Sequence, residues 1–191
     1  MRVATVEIEG VSPYSQSKKV ETPRKPKESA NDHEARTWRE RIHQDREGKV
    51  FIPPMAFKKA LQFAAQRSGR QVDGRGKATY TKHVKGGVLI MDPVHLGITA
   101  DDVQGEWLFL DANGKPGGTR VSRCMPKVDE GWRATLTIYV VDDTVTDEVL
   151  ADFLREAGMF VGIGRFRPEN GGYYGRFKVT KISFAEMEAA A

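Results

Sequence analysis

The chain has 191 residues, 39% hydrophobic and 29% charged, with a formal net charge of +4. That length suits one domain with room for insertions, and the apolar share is enough to build a core. A single cysteine, Cys124, excludes an intrachain disulfide and a cysteine-cluster zinc site, and no run approaches the ~18 apolar residues of a membrane span.

The opening "MRVATVEIEG" puts Ala4, Val6 and Ile8 on one face and Thr5, Glu7 and Glu9 on the other, which is strand periodicity. It has no signal-peptide apolar region, so a cytoplasmic, reducing location without a membrane partner is expected. Residues 12–49 carry ten basic and seven acidic residues with three prolines. They read as a charged, extended insertion with a short helix near 32–43. Trp38 inside "EARTWRERIH" is expected to dock this insertion onto the core or onto a neighbouring subunit.

"VFIPPMAFKKALQFAAQRSGR" predicts a helix over 54–68. Pro54 stands at its start, Phe57, Ala60, Leu61 and Ala64 recur at helical spacing, and Gly69 is its stop. Residues 58–86 hold eight cations against the one acid Asp73, a local charge of +7 that leaves the rest of the chain near −3. Localised positive charge on this scale points to a polyanionic partner, with a solvated face as the plainer reading. Residues 69–86 read as a basic, glycine-rich arm. "GVLIMD" predicts a short buried strand, and 105–124 a hairpin turning at "DANGKPGG". "WRATLTIYVVDD" predicts another strand, and Trp107 and Trp132 are expected in the core. "TVTDEVLADFLREAGMF" predicts an amphipathic helix capped by Thr144 or Thr146 and stopped at Gly158. "GRFKVTKISF" closes with a last strand. His95 is expected to be a packed or turn residue.

Without insertions the order is strand, helix, strand, strand, helix, strand. This predicts an α+β, ferredoxin-like (RRM-like) βαββαβ domain spanning 1–191, with large insertions after the first strand and between the first helix and the third core strand.

Between the last helix and strand lies "FVGIGRFRPENGGYYGRFKV". Gly162, Gly164, Gly171, Gly172 and Gly175 allow close backbone approach, so their N–H groups are candidates to cradle phosphate. Arg165, Arg167 and Arg176 are candidate phosphate donors, Tyr173 and Tyr174 candidate stacking surfaces, and Asn170 a turn cap or base-edge contact. The plainer reading is a tight loop with solvated arginines. The spacing fits neither a phosphate-binding P-loop nor a dinucleotide fingerprint, since no lysine with Ser or Thr follows the last glycine and the loop follows a helix. No metal site and no cofactor are expected. Asp142 and Asp143 are adjacent and diverge on a strand, Asp101 and Asp102 read as turn residues, and Cys124 has no nearby base.

"FIPPMAFKKALQFAA" and "GIGRFRPENGGYYGRF" resemble two motifs of the RAMP superfamily, the ferredoxin-like proteins of CRISPR effector complexes: the segment that opens the first helix, and the glycine-rich loop near the C-terminus. The resemblance covers roughly 1–10, 50–69 and 133–184 and is nearest to the backbone subunit that polymerises along guide RNA. Pro54 and Met55 stand where the family usually has Gly-Ser, and Lys59 where it has Gly; a stand-alone phage or mobile-element relative fits these departures equally well. The resemblance implies non-catalytic binding of single-stranded RNA or DNA, with a homo-oligomer or related subunits as partners. The expected contacts are Lys58 and Lys59, then Arg70, Arg75, Lys77, Tyr80, Lys82, His83 and Lys85 of the arm, and the loop from Gly162 to Arg176. The superfamily also includes metal-independent endoribonucleases that use a histidine, which makes His33, His43 and His83 the catalytic alternatives. A third reading is a structural or inhibitory protein that engages the same protein partners.

Overall fold

The computed structural model describes residues 1–112 and 117–187. Four strands form the central antiparallel sheet: β1 (Arg2–Gly10), β4 (Val88–Leu89), β8 (Arg133–Val140) and β9 (Phe177–Glu186). Their order is β4-β8-β1-β9. Counted without insertions this is second, third, first, fourth, the split βαβ topology that the element order predicts. Ala4, Val6 and Ile8 of β1 are buried, as are Leu136, Ile138 and Val140 of β8. The helices α2 (Pro54–Ser68) and α4 (Asp147–Glu156) cover this face with Phe57, Leu61, Leu150, Phe153 and Leu154. The opposite face is polar. Glu7 pairs with Lys181, and Glu9 with Lys178 and Arg133.

The ends of α2 fall where the residues require. Pro54 occupies the first turn, where a missing N–H costs nothing, and Gly69 ends the helix in the left-handed region at φ 59°. Thr146 caps α4 by accepting from the Val149 N–H. Gly158 does not stop α4: the helix widens into a π-helical turn, Ala157–Val161, that ends at Gly162, while Gly158 itself is buried against the Phe177 backbone.

The 12–49 segment is more ordered than its charge predicts. It holds β2 (Tyr14–Ser15), α1 (Ala30–Thr37), a 3₁₀ turn (Trp38–Arg41) and β3 (Lys49–Ile52). β2 joins β7 (Arg120–Val128) and β6 (Gln104–Asp111) in a three-stranded sheet. The Asn113-Gly114 turn signal of that hairpin lies outside the described residues. β3 pairs with β5 (Val94–Thr99), a strand missed in the periodicity. The centre of the insertion's order is Glu34, 1% exposed. Its carboxylate accepts from Arg41 (2.9 Å), from Arg123 (3.0 Å) and from the Cys124 N–H (3.1 Å). Trp38 packs on Cys124 and Gly105, so it docks the insertion onto the β6–β7 hairpin.

Trp132 is buried, and its indole N–H donates to the Ser12 carbonyl at 3.0 Å. Trp107 is not in the core: it is 49% exposed on the outer face of β6. His95 is likewise on an exposed strand position, 3.9 Å from Asp45. Cys124 is 1% exposed. Burial, reinforced by the Glu34 charge, pushes its thiol pKa up. Cys124 is therefore expected to resist a thiol reagent in the native protein and to react at once in denaturant; equal rates in the two states would refute its burial.

Candidate nucleic-acid interface

The arm is folded, not free. Residues 70–80 form a turn closed by a Gln71–Thr79 bridge, followed by α3 (Thr81–Gly87). Two of its expected contacts face inward. Tyr80 is 5% exposed and packs edge-on against Phe153. His83 sits on the Tyr80 ring, and its Nδ1 lies 2.7 Å from Asp142. Lys58 corrects the expectation most clearly. Its side chain is buried and its ammonium donates to the carbonyls of Val84 (2.8 Å), Lys85 (3.0 Å) and Val88. Burial lowers its pKa. The amine satisfies the orphan carbonyls at the end of α3, where a cation also suits the helix dipole. It clamps the arm to α2 and faces no phosphate.

The remaining cations of this region point outward. Lys59, Arg75, Lys77, Lys82 and Lys85 are exposed. None of the five has a carboxylate partner among the described residues, whereas Arg70 is tied to Asp152 at 3.0 Å.

The glycine loop is built by close approach. Gly175 has φ 70°, its N–H donates to the Pro13 carbonyl (2.7 Å), and a Cβ there would overlap the Ile163 carbonyl oxygen. Gly164 has φ 74° and meets the Ser15 carbonyl in the same way. The N–H groups of Gly162, Ile163, Arg165, Asn170, Gly171, Gly172, Tyr174 and Gly175 all donate to protein carbonyls, and that of Arg176 to the Ser12 hydroxyl. The loop is thus stapled to residues 11–16, and these amides are not a phosphate cradle. Tyr174 is also buried. Its hydroxyl donates to Glu106 at 2.9 Å, and burial, then Tyr173 and Glu106, raise its pKa. Arg176 donates its Nε to the Met159 carbonyl at 3.0 Å.

What the loop does present is a rim. Gly164, Arg165, Phe166, Arg167, Asn170, Gly171 and Gly172 surround a depression of about 560 Å³. Tyr173, 58% exposed, stands next to it with its ring edge-on to Tyr174. The guanidinium of Arg165 lies over the Phe166 ring at 5.1 Å, and its Nε has no hydrogen-bond partner among the described residues. Burial and the charge of Arg41 lower its pKa.

Arg165 also walls a second cleft, of about 620 Å³, against the insertion and the β6–β7 hairpin. Lys18, Lys19, Arg41 and Arg123 line it with Arg165. Sequence reasoning missed these four. Inside 12–49 the cations are diluted by seven acids, and only folding shows which acids are already spent. The "SKK" doublet at 17–19 was the visible trace.

The three histidines sit apart in the fold: His33 on α1 with its Nε2 2.8 Å from the Thr22 carbonyl, His43 beside Phe51, and His83 on α3. Burial, then Lys18, lowers the His43 pKa. Among the described residues no three His, Cys, Asp or Glu side chains come together to hold a metal ion, and no helix is long and apolar enough to cross a membrane.

No family model matches the sequence, and no curated protein matches it. Solved structures do. A chain of the Type III-B Cmr-beta bound to cognate target RNA superimposes with a TM-score of 0.54 at 15% identity, over 96% of this chain. The present chain spans 60% of that protein's length. Cmr6 from Pyrococcus furiosus gives a TM-score of 0.49 at 13% identity, over 93% of this chain and 98% of the other. The first superposition and the strand order agree: the fold is α+β and ferredoxin-like.

Proposed function

We propose that this protein binds single-stranded nucleic acid without cleaving it, with RNA as the natural ligand. The observation that carries the reading is the set of uncompensated cations. Lys59, Arg75, Lys77, Lys82 and Lys85 stand exposed and unpaired among the described residues, in a chain that neutralises many of its other cations. Unpaired cations gathered on the folded arm, with Lys59 on the adjoining α2, repel one another, and phosphates relieve that repulsion while releasing counterions. The rim at Arg165 and Arg167 adds bidentate donors, and Tyr173 adds a face on which a base stacks. The RAMP-like fold, seen in a Cmr-beta chain with target RNA bound, supports RNA over DNA. Cooperative assembly along the strand belongs to the same reading. The polar outer sheet face, laced with Glu–Lys pairs, speaks against binding across the sheet.

The test is mobility shift of labelled oligo-U and oligo-dT between 50 and 200 mM salt, with strand length checked on a denaturing gel. Intact strands, a steep salt dependence and multiple shifted species are expected. Replacing Arg75, Lys77, Lys82 and Lys85 together by glutamine is expected to make the log–log salt slope shallower by about 3, near 0.7 per lost phosphate contact. Tyr173→Ala is expected to cost about 1–3 kcal/mol of affinity with little change in slope. A slope that the arm variant leaves unchanged would remove the arm from the interface.

One observation favours a second reading: the His83–Asp142 pair holds an imidazole in a fixed orientation beside the basic arm. Shortened RNA without added metal, abolished by His83→Ala, would replace the binding module with a nuclease.

A further inference from the structure

The cleft beyond Arg165 has features that a general phosphate-tracking surface does not need. Its walls come from four places in the chain: the 17–20 strip, α1 with its 3₁₀ turn, the β6–β7 hairpin, and Arg165 of the glycine loop. The strip is held in place, since the Lys18 N–H donates to the Arg41 carbonyl at 2.8 Å. The charge inside is one-sided. Five cations face two carboxylates, Glu34 and Asp111, and both oxygens of Glu34 are already taken up by Arg41, Arg123 and the Cys124 N–H. Arg41 and Arg165 stand close enough for the charge of one to disfavour protonation of the other, and the Nε of Arg165 is buried with no acceptor among the described residues. A buried donor without a partner costs stability unless a ligand supplies the acceptor. Val20, Leu110, Ala112 and Met125 add apolar surface, and Ser17 and His33 complete the lining. Five cations and four apolar side chains around about 620 Å³ match one nucleotide, a phosphate with a base, better than a bare anion.

We propose that this cleft is a nucleotide pocket, in which Arg165, Arg41 and the Lys18–Lys19 pair take the phosphate and Leu110 and Met125 pack on the base. The nucleotide is either free or one residue of a bound strand; the second source deepens the RNA-binding reading and rests on it.

The protein labelled with [¹³C-methyl]methionine is titrated separately with uridine 5′-monophosphate, inorganic phosphate and a 12-residue oligo-U, and strand binding is measured in parallel by mobility shift. Met125, assigned through Met125→Leu, reports the cleft; Met55 and Met91 report elsewhere. Shifts of Met125 with the nucleotide and with oligo-U are expected, at a half-saturation concentration at least about tenfold higher in Arg165→Gln. Among the described residues Arg165 has no hydrogen-bond partner at Nε to lose, and Lys18→Gln/Lys19→Gln, on exposed positions, is a second variant expected to weaken both ligands. If the nucleotide shifts Met125 while no strand binds, the pocket stands as a free-nucleotide site and the RNA-binding reading falls. If oligo-U binds while Met125 stays fixed for every ligand, the pocket is overturned and the RNA-binding reading survives. Inorganic phosphate binding as tightly as the nucleotide would overturn the base contact, and silence in every arm would overturn both.

Discussion

Glu34→Ala is expected to destabilise the fold by about 3–5 kcal/mol, the range for breaking a buried ion pair from one side. The carboxylate is 1% exposed and accepts from two guanidiniums and a backbone N–H. Alanine leaves the Cys124 N–H buried without an acceptor and leaves Arg41 and Arg123 facing each other without a counter-charge. Arg41 is the more costly of the two to strand, with 13% of its side chain exposed against 38% for Arg123. Arg123→Ala is therefore expected to cost less, because the partner left behind keeps Arg41. Equilibrium unfolding in urea checks both. A loss below about 1 kcal/mol for Glu34→Ala would mean that the insertion is not held by this carboxylate. Phosphate is also expected to rescue the alanine variant more than the parent protein, since an anion between the two arginines replaces the missing charge.

The second large effect is Gly175→Ala, expected at about 3 kcal/mol. A side chain at φ 70° costs about 1–2 kcal/mol, and the overlap with the Ile163 carbonyl forces a backbone shift worth about 1–3 kcal/mol more. Because that shift also strains the Gly175 N–H bond to Pro13, the loop is expected to part from residues 11–16. The control is Gly171→Ala, at φ 78° in open space, where only the conformational cost applies. A thermal melt separates them: at about 2–4 °C per kcal/mol, Gly175→Ala is expected to fall by roughly 10 °C and Gly171→Ala by a few degrees. Equal shifts would show that close approach contributes nothing.

The parts of this structure that were legible in the sequence are those governed by neighbours a few residues apart. α2 follows from Pro54, the 57–60–61–64 spacing and Gly69; β1 and β8 follow from strict alternation; together with the element order they give the strand topology. The parts that were not legible depend on partners far along the chain. Nothing near Lys58 says that it caps a helix some 26 residues later, nothing near Tyr174 says that its hydroxyl reaches Glu106, and nothing in "NDHEART" says that Glu34 meets Arg123. Lys58 and Tyr174 were read as nucleic-acid contacts and Glu34 as one charge among many in the insertion, because buried polar groups are recognised only once their partners are placed. The glycine loop shows the converse. Its composition was read for phosphate binding, and the glycines serve instead to let two backbones meet, leaving only the rim of Arg165, Arg167 and Tyr173 to a ligand.

β1 lies in the middle of the central sheet, between β8 and β9. It is synthesised well before both of its neighbours. On the ribosome the nascent chain therefore holds an unpaired, half-apolar strand until residues 133–140 and then 177–186 have emerged, and the contacts that finish the sheet are among the longest-range ones the chain makes. Such an ordering costs loop-closure entropy before it returns any pairing energy, which slows formation of this sheet, and a fragment ending before residue 133 gives β1 no partner in it. The same ordering governs the clefts at Arg165, which come into being only when the loop after α4 closes over residues 11–19.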